Sequence, residues 1–413
     1  MKAGFLIAII VLFSGCICLE PTCNPPYIAV GNECCLDANN DSICDKDQPV
    51  YTTTSTAPSA TTSSTLPARI TTTSTSTTLA ASTTTLQHEL NVTLEVVYLG
   101  SIMSGVYNQY PDLNTSLLTY TVTNDEDKPV KLTFVSEILD YTSQSRDMYI
   151  LEPHETYEIV QNPMLKPGIN VREMVNANIY YKVTDSKGEI LDEETLPTKL
   201  YAKDTMIWAT WDGESWVDTS PLIGAWVTPH DPEIDKLIRM SAEYHPDHSM
   251  EGYQCSDCVT DDDWNYYTHL QVKAIYDALQ DQYKITYINA PIAYSSEDLA
   301  PQRVKLPKDS ITLASANCID GTVLFASALE SVGINSHVIL LPDHAFVCWD
   351  ACRKCELVDC LETTMIGSRT FDDAEAYGVD EYNEAYDQGS FEDGDAISLS
   401  VHDLRAIGIM PMS

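Results

Sequence analysis

The spacing of apolar and polar positions changes several times along the chain. After Met1-Lys2 comes an unbroken apolar run, residues 3–13, ending in Phe13-Ser14-Gly15-Cys16. Residues 51–87 are mostly Thr and Ser, broken by Pro58 and Pro67, and carry too few core-forming residues to fold alone. Residues 88–205 alternate with period two, as in Leu94-Glu95-Val96-Val97-Tyr98, Leu117 to Thr123, and Asn178 to Val183. Turn signals at Asn124-Asp125, Pro167-Gly168 and Asp185 to Gly188 separate these runs. Short strands at this spacing predict a β-sandwich of immunoglobulin or fibronectin type. From 206 onward helical and strand periods mix. A helix is predicted over 263–282 and strands over 285–288 and 302–306. Ile319, Val323, Leu324, Ala328, Leu329 and Val332 then recur at helical spacing, and Gly333 stands where a C-terminal glycine belongs. Strands follow at 335–341, 343–349 and 356–364, the last two forming a hairpin that turns near Arg353-Lys354. A short element at 402–409 closes the chain. The expected fold is multidomain: an all-β sandwich (88–205) followed by an α+β domain (206–413), after a disordered Thr/Ser stalk.

Chemistry concentrates in the mixed region. Cys318 heads the helix that follows Asn317, and a helix N-terminus favours a thiolate through its partial positive charge and free N–H groups. Asn317 is expected to cap that helix. A turn centred between Cys352 and Cys355 brings His344 and Glu362 nearly opposite one another on the hairpin, so they share a face. His344 is then a candidate general base and Glu362 its orienting carboxylate. Asp359 is the rival carboxylate, but the same register sets it opposite Cys348, about 13 Å along the strand from His344 at strand rise.

The helix-heading Asn317-Cys318, the strand-borne His344-Ala345-Phe346 and the motif Leu361-Glu362-Thr363-Thr364 together resemble the transglutaminase-like superfamily over roughly residues 220–413. Members are papain-related enzymes that use Cys, His and Asp on an α+β core to hydrolyse amides or transfer acyl groups to amines. The resemblance implies a Cys318-His344-Glu362 triad, with Glu362 standing one methylene longer than the usual aspartate. It also implies an upstream side-chain donor for an oxyanion, a place that Gln254 fills. Against this stands the plainer assignment of Cys318 as a small core residue, which would leave a catalytically inactive surface adhesion or binding protein. A third alternative is a zinc-dependent module.

The remaining features set the compartment. Residues 1–16 are expected to be a secretory signal with a lipobox-like end, Cys16 carrying the lipid; a plain signal peptide or an uncleaved anchor is the alternative. The 13 cysteines suit an oxidising, extracellular setting at the cell surface. Setting aside Cys16 and Cys318 leaves an odd number, with Cys18 the expected leftover. Residues 17–50 form a Cys-rich segment. Within it Asp37, Asn39, Asp41 and Asp45 offer oxygens at alternate positions and resemble a thrombospondin type 3 calcium repeat, which implies Ca2+ there. Cys255-Ser-Asp-Cys258 and Cys352-Arg-Lys-Cys355 have zinc-ligand spacing, but disulfides are the expected outcome outside the cell, and Cys348 and Cys360 fall nearly opposite on the hairpin. No cofactor is expected for catalysis. The Thr/Ser stalk is expected to be O-glycosylated, the alternative being a bare linker; Asn91 and Asn114 head N-glycosylation sequons.

Lys and Arg number 23 against 61 Asp and Glu, a net charge of −38. That excludes nucleic acid as a partner and argues against attraction to an anionic lipid surface. The expected partner is a protein or peptide substrate, with attachment to the membrane through the N-terminus alone. The run of acids over 372–395 is expected to be a solvated helix and loop.

Overall fold

The computed structural model describes residues 90–113, 115–211, 216–288, 301–355 and 357–412, together with the backbone of short strands at 27–30, 33–36 and 80–84. The signal-like run with Cys16, the calcium-like residues Asp37, Asn39, Asp41 and Asp45, and most of the Thr/Ser tract lie outside the described residues. Residues 1–73 and 74–413 are separate compact units. In the first, β1 (Tyr27–Val30) and β2 (Glu33–Leu36) form an antiparallel hairpin.

The second unit begins with two sheets. One contains β3 (Ala80–Thr84), β4 (Val92–Tyr98), β6 (Leu118–Asn124) and β9 (Thr156–Gln161), in the order β3-β4-β6-β9. The other contains β5 (Ser101–Met103), β7 (Val130–Ile138), β8 (Ser145–Leu151), β10 (Val175–Thr184) and β11 (Ile190–Tyr201), in the order β5-β11-β10-β7-β8. Alternation along β6 buries Leu118, Tyr120, Val122 and Asn124 on one face, as period two demands. The Tyr120 ring meets Phe134 of β7 at 5.0 Å and Tyr181 of β10 at 5.8 Å, so the two sheets face each other across an aromatic core. Ala80–Thr84, at the end of the Thr/Ser tract, pairs with β4.

The chain then passes into the α+β half. β12 (Thr205–Met206), which straddles the expected division at 205/206, pairs with β16 (Gln302–Arg303). β13 (Ala209–Trp211) and β14 (Trp216–Asp218) form a small hairpin. Helices α1 (Pro232–Ser241) and α2 (Asp261–Asp281) follow, then β15 (Thr286–Tyr287), α3 (Pro307–Leu313) and β17 (Ser315–Ala316). Next is α4 (Cys318–Ser331), buried at every position from 318 to 329; a helix apolar all round belongs at the centre of a fold. It packs on a sheet of β18 (Ser336–Leu341), β19 (His344–Asp350), β20 (Val358–Leu361) and β21 (Ile397–Ser400), ordered β20-β19-β18-β21. α5 (Phe371–Asp387) lies against β20, with α6 (Ser390–Asp393) and α7 (Val401–Ala406) beyond. The C-terminal segment returns to the sheet half, where Gln109 Nε2 donates to the Met410 carbonyl at 2.8 Å and the Met410 N–H donates to Gln109 Oε1 at 2.7 Å.

The described part of the chain is therefore α+β with several sheets, as the spacing predicts. Two local expectations change. The β19–β20 register sets Cys348 directly opposite Cys360 and Asp359 opposite Trp349, one residue from the expected pairing, because the turn is not centred between Cys352 and Cys355. The acidic run over 372–395 is not uniformly solvated: the inward face of α5 carries half-buried Glu375 and Glu381. No helix among the described residues is long and apolar enough to cross a membrane.

Candidate active site

The position of Cys318 is set by the two residues that bracket its turn. Asn317 Oδ1 accepts from the Asp320 N–H at 2.8 Å, and the Asn317 N–H donates to Asp320 Oδ2 at 3.1 Å. This reciprocal cap satisfies two of the donors a helix start leaves open. Asp320 is itself held by Lys305, through its N–H at 2.7 Å and its Nζ at 2.9 Å. Cys318 is 1% exposed and is the free cysteine among the described residues. The other described cysteines stand at disulfide distance as Cys255–Cys258, Cys348–Cys360 and Cys352–Cys355, so each Cys-x-x-Cys closes on itself.

Glycine at 321 lets the end of β20 press on this helix turn. A Cβ there would sit 2.7 Å from Thr363 Oγ1. Thr363 instead reaches the Cys318 carbonyl at 3.4 Å, and Thr322 Oγ1 donates to the same carbonyl at 2.8 Å. The residue before Thr363 is Glu362, so the contact that seats Thr363 also delivers the carboxylate. Glu362 Oε1 accepts from the Thr364 N–H at 2.7 Å, and its own N–H donates to the Ala374 carbonyl on α5 at 3.0 Å.

His344 begins β19, with Leu341 of β18 as its partner. Its Nε2 is hydrogen-bonded to Glu362 Oε2, its ring stacks on Phe346 at 6.1 Å, and the Cys318 thiol is near enough to favour its charged form. Burial opposes a charged ring here. The interactions with Cys318 and Glu362 and the charges of Glu362 and Glu381 outweigh it, and His344 is raised to about 10. Burial likewise opposes ionisation of Glu362, but the His344 and Thr364 contacts hold its carboxyl below the ordinary glutamate value. Cys318, His344 and Glu362 are thus brought together, with the imidazole in the middle.

Gln254 is not part of this group. It is exposed and lines a cavity with the Cys255–Cys258 loop and the first turns of α2, a lining that includes neither Cys318, His344 nor Glu362. The Cys255–Cys258 closure holds that loop at the head of α2. Another polar group in the neighbourhood of the helix start is Tyr287 of β15, whose partner Ala316 lies two residues before Cys318. Tyr287 is raised first by burial and then by the charges of Cys318 and Glu362.

The residues that the sequence left unmarked sit on α5. Glu381 Oε2 lies 3.7 Å from His344 Nε2, buried and without a donor. Burial and the neighbouring Glu362 raise Glu381 to about 7, so near neutrality it is partly protonated. One turn earlier, a Cβ at Gly378 would lie 2.8 Å from the Leu361 and Glu362 backbone. The missing side chain allows α5 to abut β20 and presents Glu381 to the imidazole. Glycine within an acidic helix, three residues before a glutamate, was the available signal. Asp359 belongs to a second cluster, with His269 of α2 and Glu375 of α5.

Compared with known proteins, the chain matches no family model and no curated protein.

Proposed function

We propose that the chain is an extracellular, surface-anchored cysteine enzyme of transglutaminase-like fold, acting on amide bonds. The observation that carries this is His344 hydrogen-bonded to a buried Glu362 and under the influence of Cys318, the free thiol at a capped helix start. Glu362 occupies Nε2 and fixes the ring, leaving Nδ1 for the thiol. The imidazole takes the thiol proton. The thiolate sulfur attacks the carbonyl carbon of a glutamine side chain or a peptide, and the imidazolium returns the proton to the departing amine. The product is a thioester. Water attacking it gives hydrolysis and an amine gives a cross-link; in both, His344 accepts the nucleophile's proton as sulfur leaves. Donors for the oxyanion are the Cys318 N–H at the head of α4 and the Tyr287 hydroxyl. The sandwich and the Thr/Ser tract serve as a spacer between this domain and an N-terminal lipid anchor.

The test is alkylation of the folded chain by iodoacetamide across a pH series, with modified cysteines mapped by mass spectrometry. Rapid labelling of Cys318 well below the ordinary thiol pKa of about 8.5, slowed by His344→Ala, is the expected result. Labelling only after denaturation, or labelling indifferent to His344, would make the domain a binding module instead.

A further inference from the structure

We propose that His269, Asp359 and Glu375 form a zinc-type divalent-cation site that fastens α2, β20 and α5 together. The ligating atoms of these three residues lie within 4.8 Å of one another, although each comes from a different element. A tetrahedral zinc with bonds of about 2.0–2.1 Å sets its donors roughly 3.3 Å apart, so small side-chain rotations suffice to close the site. His269 Nδ1 lies 2.5 Å from Glu375 Oε1 in a hydrogen-bonded pair whose proton a metal ion would replace, and the Phe371 ring meets the imidazole edge-on at 5.1 Å and 78°.

The charge balance also admits a cation, in the place that a proton or the imidazolium would otherwise fill. Asp359 and Glu375 are half-buried, with carboxylate oxygens within 4.8 Å of each other. Two carboxylates held this close need positive charge between them. The neighbouring Lys273 is engaged elsewhere, lying over the Phe371 ring at 5.3 Å, with Asp277 at 3.3 Å and Asp372 at 3.9 Å. One imidazole nitrogen with two carboxylate oxygens suits zinc and its first-row neighbours. Calcium, which takes six to eight oxygens, fits this donor set poorly. Three protein ligands leave a position for water, and the site's role is structural: it secures the seam on which Glu362 sits. The assignment does not require Cys318 to be reactive.

The experiment uses the full chain carrying Cys318→Ser, so that the free thiol binds nothing, purified through chelator and dialysed against Zn2+ or Co2+. The parent is expected to retain one zinc ion per chain that Asp359→Asn and His269→Gln each lose. Zinc should raise its melting temperature by several degrees, and theirs not at all. Without metal, Asp359→Asn should melt at or above the parent temperature, because it removes one of two facing carboxylates; this shows that the fold is intact. The Co2+ form should show ligand-field bands without thiolate charge transfer. Zinc retention unchanged in both variants, thiolate charge transfer from the paired cysteines, or no zinc retained at all would overturn the site, the last leaving protons as its occupants.

Discussion

Two groups of one histidine and two acids sit on the same seam between β20 and α5, and they differ in what faces the imidazole. His344 has Glu362 and Glu381 on one side and Cys318 on the other. His269 has Asp359 and Glu375, and the edge-on ring of Phe371. Glu375 and Glu381 are six residues apart, about 9 Å along the helix axis at 1.5 Å per residue. Similar acids on one pair of elements thus serve two ends. Where a helix start delivers a thiol, the imidazole becomes a proton carrier; where an aromatic ring delivers none, it is a ligand or a strut. The chemistry is decided by what faces the imidazole, the thiol at the head of α4 or the Phe371 ring, and not by the acids.

The largest expected effect comes from removing that difference. Cys318→Ala should abolish both iodoacetamide labelling and thioester formation, read by mass spectrometry, while every substitution in the His269 group leaves labelling measurable. His344→Ala should slow labelling at neutral pH by about 10²–10⁴-fold, the usual range for a positioned acid–base group, whereas His269→Gln should leave the rate within a few-fold. Gly378→Ala tests the seam itself. Its Cβ meets the Leu361 and Glu362 backbone at 2.8 Å, so a loss of about 1–3 kcal/mol is expected from chemical denaturation, with a slower Cys318. Glu362→Asp shortens a side chain whose two oxygens hold His344 and the Thr364 N–H. It should cost roughly tenfold in labelling rate, about what weakening one hydrogen bond removes, and an unchanged rate would show that the extra methylene is idle.

The smallest effect is a pH signature. Glu381 is raised to about 7 by burial and by Glu362. As pH rises through 7 it ionises 3.7 Å from His344 Nε2 and strengthens the imidazolium, so wild-type labelling should show a step there that Glu381→Gln lacks. The stability sign is that of a raised acid: its contribution is fully present below the ordinary glutamate value and lost as pH rises through about 7. The melting temperature of Glu381→Gln relative to wild type should therefore climb between pH 5 and pH 8. Glu362, whose carboxyl is lowered, works in the opposite sense, adding stability above its ordinary value and losing it in acid.

Much of this was legible in the chain because it rests on local rules. The capped helix behind Cys318, the β19–β20 hairpin and the strand alternation before residue 205 follow from spacing and turn chemistry. Glu362 was legible because a strand-end acid close to a hairpin histidine leaves few other partners. The rest depends on contacts between distant segments. The register slip that moves Asp359 away from Cys348 shows in where the turn closes, the Ala351 N–H donating to the Leu357 carbonyl at 2.9 Å. The inward turn of Glu375 and Glu381 follows from α5 abutting β20 through Gly378, and a run of acids by itself looks like a solvated surface. Gln254 stood near a conspicuous cysteine pair, but the closure of that pair holds it at the head of α2, while Tyr287 reached the helix start through a two-residue strand that no periodicity marks.

Gly321 and Gly378 each permit an approach so close that a side chain there would collide, one with the Thr363 side chain and the other with the Leu361 and Glu362 backbone. That turns a three-dimensional arrangement into a linear signature. A cysteine followed three positions later by glycine, a histidine eighteen positions before a Glu-Thr pair, and a glycine sixteen positions after that glutamate with a second glutamate three further on describe the site in this chain. Searching genomes with those spacings, and not with overall similarity, should retrieve chains built on the same geometry even where every other position has drifted.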